Sequence, residues 1–270
     1  MAVAAFGPAR AKRTIVCLHG LTANRSTWLP VAERLRGDRR VFLVDLLGRG
    51  ESAPSLTASY GLEAEAERLA ALLRSLGAHQ PLLAGHSHGA AIAVAAANRV
   101  QACGLLLVNP VTPDLSRPLA LAALRIRTVR QSASLAARLF RRPLTRYMLV
   151  RRVFANRGAI PAGAITRYAE PWGDPNRAAV LPRVLQDWNP AELERWAAPP
   201  GIPVAVIAGS ADRRIRPEMV RRWADRLGGT FYLARNSGHA VPEEKPDEVT
   251  QVLQDLLETI DTREQEETLG

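Results

Sequence analysis

Short apolar, β-rich runs alternate with amphipathic stretches of helix length along most of this chain. Thr14–Leu18, Val41–Asp45, Leu82–Ala84, Gly104–Val108, Val204–Ala208 and Thr230–Leu233 are such runs, each closed within three residues by Gly, Pro or Asn. They lack polar–apolar alternation, which predicts strands covered on both faces, as in a parallel sheet. Between them, Leu62–Leu76 places Leu62, Ala66, Leu69, Leu72, Leu73 and Leu76 on one helical face, and Gly77 supplies the stop. Strand and helix in alternation imply right-handed crossovers and an α/β architecture: a doubly wound, mostly parallel sheet flanked by helices. The alternation lapses between Val111 and Asn189, where no strand pattern appears. That stretch reads as helical, punctuated by Pro143, Pro161, Pro171, Pro175 and Pro182, and a strand returns at PVAVIAG. The last residues, from about Thr262, read as a polar tail that need not be ordered.

Composition narrows the class. With 270 residues, 47% hydrophobic and 23% charged, the chain is ordinary for a globular protein, which excludes the disordered and fibrous classes. Cys17 and Cys103 are too few for a disulfide framework and lie in apolar runs, so they read as buried thiols in a reducing compartment. No run approaches the roughly 20 apolar residues of a membrane span. The opening MAVAAFGPARAKR puts its apolar residues before its charges, the reverse of a signal peptide. The expectation is a cytoplasmic, enzyme-sized domain with no stable membrane insertion.

The net charge of +10 suggests nucleic acid until it is located. Residues 111–189 hold fourteen Arg and no Lys against Asp114, Glu170, Asp174 and Asp187, which accounts for the whole excess. From Glu243 onward ten acids face only Lys245 and Arg263. Aromatics make up only 5% of the chain, too few to interleave stacking platforms with a basic groove, so no nucleic-acid partner is expected.

The chemistry concentrates at strand ends. Gly85-His86-Ser87-His88-Gly89 follows the run LLA and opens the apolar stretch AAIAVAAANRV. In that strand–turn–helix setting, G-x-S-x-G raises a serine Oγ at the tip of a sheet, above a helix N-terminus that favours developing negative charge. Serine needs a base, and the base needs an orienting group. His239 follows the last strand in NSGH, and Asp212 follows the one before it in GSAD. Ser87, Asp212 and His239 thus all lie beyond the carboxyl ends of strands, where open α/β sheets bind their ligands. Asp114, after GLLLVNP, is the rival for the acid, although a helix-cap or loop role suits its position better. Trp28, Trp172, Trp188 and Trp196 are candidate pocket aromatics, with core packing as the default. No G-x-G-x-x-G follows a strand, and there is neither a phosphate-binding P-loop nor a His/Cys cluster, so no cofactor and no metal are expected.

The segments LHGLTANRSTW, VDLLGRGES, LLAGHSHGAAIA, VIAGSADRRIRPE and NSGHAVPEEKPDEV together resemble the α/β-hydrolase superfamily, over nearly all the chain outside 111–189. The resemblance implies Ser87 as nucleophile, His239 as general base and acid, and Asp212 as orienting carboxylate. It implies an oxyanion hole from the backbone N–H groups of Leu21 and His88. His19 would brace the Leu21 loop, His86 would pack beneath the serine turn, and Asp45 would brace VDLLGRGES. The His88 imidazole reads as packing, with lining of the acyl pocket as the alternative. A serine nucleophile disfavours the epoxide and haloalkane activities of relatives that use Asp there. The antiparallel strands that open the fold would be reduced to about Val3–Phe6. Residues 1–110 and 190–270 would form the core, and 111–189 a helical, Arg-rich cap insertion.

The expected activity is cleavage of a carboxylic ester or thioester through an acyl-enzyme. The runner-up is a carbon–carbon bond hydrolase or lyase of the same fold using Ser87 in a proton relay, and a receptor without catalysis is the third reading. The expected partner is a small acyl ester or thioester substrate. An acidic acyl carrier protein is a further candidate for the Arg-rich face, beside a solvated surface or contact with an anionic membrane.

Overall fold

Seven strands fall where the apolar runs stand. In the computed structural model, which describes residues 1–35, 39–115, 119–196 and 198–269, they are β1 (Val3–Phe6), β2 (Arg13–Leu18), β3 (Arg39–Val44), β4 (Leu82–His86), β5 (Gly104–Val108), β6 (Val204–Gly209) and β7 (Thr230–Ala234). They lie side by side in the order β1-β3-β2-β4-β5-β6-β7. Strand β1 runs antiparallel to β3, and every other pair is parallel. Several strands outrun their apolar segments by one or two residues, because ladder pairing continues past the last large side chain. Gly85 and His86 belong to β4, paired with Leu107 and Val108.

The described α-helices are α1 (Leu29–Arg34), α2 (Leu62–Ser75), α3 (His88–Ala97), α4 (Arg127–Leu139), α5 (Arg141–Met148), α6 (Ala164–Ala169), α7 (Pro175–Asp187), α8 (Pro217–Arg226), α9 (Val241–Glu244) and α10 (Pro246–Leu269). The two-residue period of the strands sorts the core into two layers. Val16, Leu18, Leu83, Leu105 and Leu107 face α2, α3 and α8, whereas Ile15, Cys17, Leu82, Leu106 and Val108 face α1 and α10. Continuous apolar runs follow from this two-sided burial. Cys17 is buried in the second layer, and Cys103 is half-buried.

Between β5 and β6 the described residues form α4 to α7, short 3-10 turns and one π-helical turn at Leu149–Val153, with no strand; residues 116–118, which include Arg117, lie outside the described residues. Two of the prolines expected as breaks do not end helices. Pro143 sits in the first turn of α5, where an N–H has no intrahelical partner to lose, and Pro182 lies inside α7.

The C-terminal tail differs from expectation. Helix α10 continues to Leu269 instead of ending near Thr262. Arg13, almost wholly buried, reaches Asp261 at 2.9 Å and also pairs with Glu264. Lys12 meets Asp261 at 3.0 Å and Arg263 donates to the Gly201 carbonyl at 2.6 Å. Long-range ion pairs therefore tie down a segment whose polar composition suggested a loose end.

Candidate active site

The turn at Ser87 carries the strain that its sequence suggests. Ser87 has φ 53° and ψ −115°, outside the basins a side chain prefers, between strand β4 and helix α3. Its N–H donates to the Val108 carbonyl at 2.9 Å, which pins the turn to β5. The flanking glycines are required by proximity. A Cβ at Gly85 would stand 2.4 Å from the Ala90 Cα, and one at Gly89 would stand 2.4 Å from the Leu18 carbonyl oxygen. At Gly20 a Cβ would come within 3.4 Å of the Ser87 Cβ, so the loop after β2 passes against the serine.

His239 and Asp212 meet as the strand-end argument anticipates. The His239 Nδ1 lies 2.7 Å from Asp212 Oδ2, and Asp212 Oδ1 accepts from the Arg214 and Ile215 N–H groups at 2.7 and 3.2 Å. Burial works to raise the Asp212 carboxyl, but His239 and the two amides outweigh it and hold its pKa below the ordinary value. Asp114 is elsewhere: it is exposed and paired with Arg222 at 2.8 Å. Ser87, His239 and Leu21 line one cavity of about 230 Å³, with Tyr168, Trp172 and Glu243. Among the described residues, neither the Leu21 nor the His88 N–H has a hydrogen-bond acceptor.

His19, His86 and His88 are neutral, each for a visible reason. His19 donates from Nδ1 to the Gly20 carbonyl at 2.7 Å and accepts at Nε2 from the Leu46 N–H at 3.1 Å. Burial, with the nearby Arg49 charge, lowers its pKa to about 3, so the 3.9 Å approach of Asp45 is no ion pair. His86 lies 2.7 Å from the His239 carbonyl through Nε2, which makes Nε2 the donor and leaves the buried Nδ1 without a partner. Burial and the neighbouring His239 bring it to about 3 as well. His88 packs edge-on against Trp188, with ring centres 4.8 Å apart, and accepts at Nε2 from Arg49 Nη2 at 3.2 Å. Burial first, then Arg49, keeps it well below the ordinary imidazole value.

Asp45 braces its loop: it accepts from the Arg25 N–H at 2.7 Å, the Arg25 guanidinium at 2.8 Å and the Glu51 N–H at 2.9 Å. Trp28, Trp172 and Trp188 are buried, Trp196 is half-buried, and Trp172 alone of the four faces the cavity.

Sequence reasoning missed several polar residues around the site. Arg49 and Glu65 form a fully buried ion pair at 2.9 Å beside His88. Asn109 donates to the Gly238 and His239 carbonyls and accepts from the Gly209 N–H at 2.8 Å. Glu244 accepts from the Ser237 hydroxyl at 2.8 Å and the Gly238 N–H at 2.6 Å, and its other oxygen accepts from the Ala155 N–H at 2.5 Å. Glu243 accepts from the Tyr168 hydroxyl at 2.8 Å, and burial pushes its pKa up to about 7. The turn residue Asn109 and the paired glutamates after His239 were the available signals, but neither tells which way its side chain turns.

Comparison with known proteins places this geometry. The model of the alpha/beta hydrolase family matches residues 15–252. The chain belongs to the alpha/beta hydrolase family and is a hydrolase of that fold. It is 29% identical to lipase LipV of Mycobacterium tuberculosis over 93% of this chain and 94% of the relative. An uncharacterized hydrolase, YugF, of Bacillus subtilis is 24% identical over 91% of this chain and 90% of its own length. Among solved structures, an alpha/beta hydrolase fold protein from Burkholderia ambifaria superposes with a TM-score of 0.79 at 24% identity, covering 94% of this chain and 93% of that one. No described helix is long and apolar enough to cross a membrane.

Proposed function

We propose that this hydrolase cleaves a carboxylic ester or thioester through an acyl-enzyme on Ser87. The observation that carries the reading is the 2.7 Å contact between His239 Nδ1 and Asp212, in a cavity that His239 shares with Ser87. Asp212 fixes the tautomer in which Nδ1 bears the proton and Nε2 is free to accept one. His239 Nε2 takes the hydroxyl proton as Ser87 Oγ attacks the carbonyl carbon. The tetrahedral oxyanion binds the Leu21 and His88 amides, each such donor lowering the barrier by about 3 kcal/mol. His239 then protonates the leaving alcohol or thiol. A water that gives its proton to His239 attacks the acyl carbon, and Ser87 leaves with its proton restored.

Of His19, His86 and His88 only His86 shares the cavity, and its lowered pKa makes it a weak base, which supports His239 in that role. Asp114, paired with Arg222, is not the acid in this reading. Residues 111–189 act as a cap: Ala137, Leu144, Met148, Leu149, Trp172 and Leu181 contribute mostly apolar side chains to the cavity. They select an apolar acyl group and exclude water from the reaction.

The test compares wild type with Ser87→Ala on matched oxoesters and thioesters of one acyl series. Turnover should fall at least about 10⁴-fold in the variant, and fluorophosphonate labelling should vanish. Turnover that survives Ser87→Ala would overturn the assignment.

A further inference from the structure

Most of the large apolar side chains exposed among the described residues fall within the stretch that carries the charge excess. Residues 115–169 contain twelve Arg and no acidic residue. Seven of the eleven large apolar side chains exposed among the described residues belong to residues 126–147. Leu135 and Leu139 stand one helical turn apart on α4, with exposures of 51% and 62%. Phe140, between the two helices, and Leu144 and Tyr147 of α5 follow, with exposures of 61%, 48% and 53%. Such a protruding apolar ridge has a cost in water and needs a reason. Helix α4 packs its opposite side against α7, so the ridge is not the core face of a helix.

Arginines flank the ridge at the same helical interval. Arg138, Arg142 and Arg146 recur every four residues and are all exposed. Arg142 pairs with Glu170 at 2.6 Å, whereas Arg138 and Arg146 have no carboxylate partner among the described residues. The inner side of the same helices meets the cavity: Ala137, Arg141, Leu144, Thr145 and Met148 line it. Leu144 does both, lining the cavity and standing half-exposed at its edge.

We infer that the α4–α5 face docks on an anionic lipid bilayer and delivers acyl lipid from it to Ser87. Apolar side chains that protrude from a helix, flanked by arginines of which Arg141 and Arg142 meet Glu170 and Arg138 and Arg146 meet no carboxylate among the described residues, match an interface with acyl chains below and negative headgroups at their edge. Arginine stems lie along the apolar layer while the guanidinium groups reach the phosphates. An acidic carrier protein would satisfy the arginines, but it would need a groove cut to receive five projecting apolar side chains. A fluid acyl layer accepts them without prior fit. The substrate class, a water-insoluble acyl ester, rests on the proposed serine hydrolase; the docking itself does not.

Full-length Ser87→Ala protein, which cannot turn over, reads the docking alone. Its co-sedimentation with phosphatidylcholine vesicles holding about 30% phosphatidylglycerol should exceed that with pure phosphatidylcholine by about tenfold, and should weaken with salt. Two paired variants separate the contributions: L139S/F140S removes apolar insertion, and R138Q/R146Q removes charge. Each should weaken vesicle binding by about fivefold or more. In the Ser87 background, each should leave hydrolysis of a short soluble ester within about twofold of wild type, because none of the four side chains lines the cavity. Failure to bind anionic vesicles would overturn the inference. So would binding indifferent to L139S/F140S, which would reduce it to bulk charge. An acidic acyl carrier protein that binds in place of vesicles, and loses affinity in R138Q/R146Q, would replace the lipid reading. Vesicle binding with no ester turnover would sink the serine hydrolase and leave the docking intact.

Discussion

The Asn109 side-chain amide donates to the His239 carbonyl at 2.8 Å, so the last residue before Pro110 fixes the backbone of the proposed base. The same amide donates to the Gly238 carbonyl at 3.0 Å, and its oxygen accepts from the Gly209 N–H at 2.8 Å. One buried side chain thereby joins the ends of β5 and β6 to the loop after β7. Its φ of 41° is a backbone state that asparagine adopts more readily than most residues. His86 Nε2 donates to the same carbonyl at 2.7 Å.

Asn109→Ala should therefore cost about 1–3 kcal/mol in urea unfolding, since buried backbone groups lose their partners. Its kinetic signature should be a fall in kcat of about tenfold or more with KM little changed, because Asn109 does not line the cavity. A loss of stability with kcat intact would confine Asn109 to holding the frame.

The two candidate acids separate cleanly by mutation. Asp212→Asn should lower kcat by about 10⁴-fold, because an amide at that position permits the wrong His239 tautomer. Asp114→Asn should change kcat by no more than about twofold, and stability by less than about 1 kcal/mol, because its pair with Arg222 is solvent-exposed. Steady-state kinetics on one soluble ester decides both. Equal losses in the two variants would contradict the assignment of Asp212.

Much of this arrangement is legible in the chain itself, for a physical reason. A parallel sheet buried on both faces demands unbroken apolar runs, and the residues just after them stand at the open end of the sheet. Ser87, Asp212 and His239 all occupy such positions. The supporting polar residues are harder to read, because their partners come from distant segments. Glu65 did leave a trace, since it lies between Leu62 and Ala66 on the apolar side of α2. An acid on that face requires a buried cation, but nothing local names Arg49. The tail after Thr262 misleads in the opposite direction, because its contacts come from far away in the chain: Arg13 pairs with Glu264, and Arg263 donates to the Gly201 carbonyl.

The buried pair of Arg49 and Glu65 sits directly behind the turn that carries Ser87, through Arg49 and His88. Removing Glu65 strands the Arg49 guanidinium in the core, and removing Arg49 leaves buried Glu65 only the longer pair with Arg68 at 3.4 Å. Arg49→Met or Glu65→Met alone should destabilise by about 3–5 kcal/mol. The double variant R49M/E65M should recover much of that loss, because it leaves neither charge unpaired. A double-mutant cycle of chemical denaturation measures the coupling. Strictly additive losses would mean that the two side chains do not depend on each other.

Glu243 gives the fold a pH dependence whose sign follows from its raised pKa. Burial lifts the carboxyl from 4.5 to about 7, against the opposing Tyr168 hydroxyl, which donates to it at 2.8 Å. Between those two values the folded state holds a proton that the unfolded chain has lost. Stability contributed by the neutral form is thus complete below the unfolded value and falls away as pH rises through the window. Glu243→Gln keeps an acceptor for Tyr168 and removes the titration. Its melting temperature should match wild type at about pH 4 and exceed it at about pH 8. Tyr168→Phe acts on the same group from outside: without the hydroxyl that favours the anion, the Glu243 carboxyl rises further and the window widens upward. Thermal melts of the three proteins across pH distinguish these outcomes. A Glu243→Gln advantage that is equal at both pH values would show that the ionisation of Glu243 is not what the folded state resists.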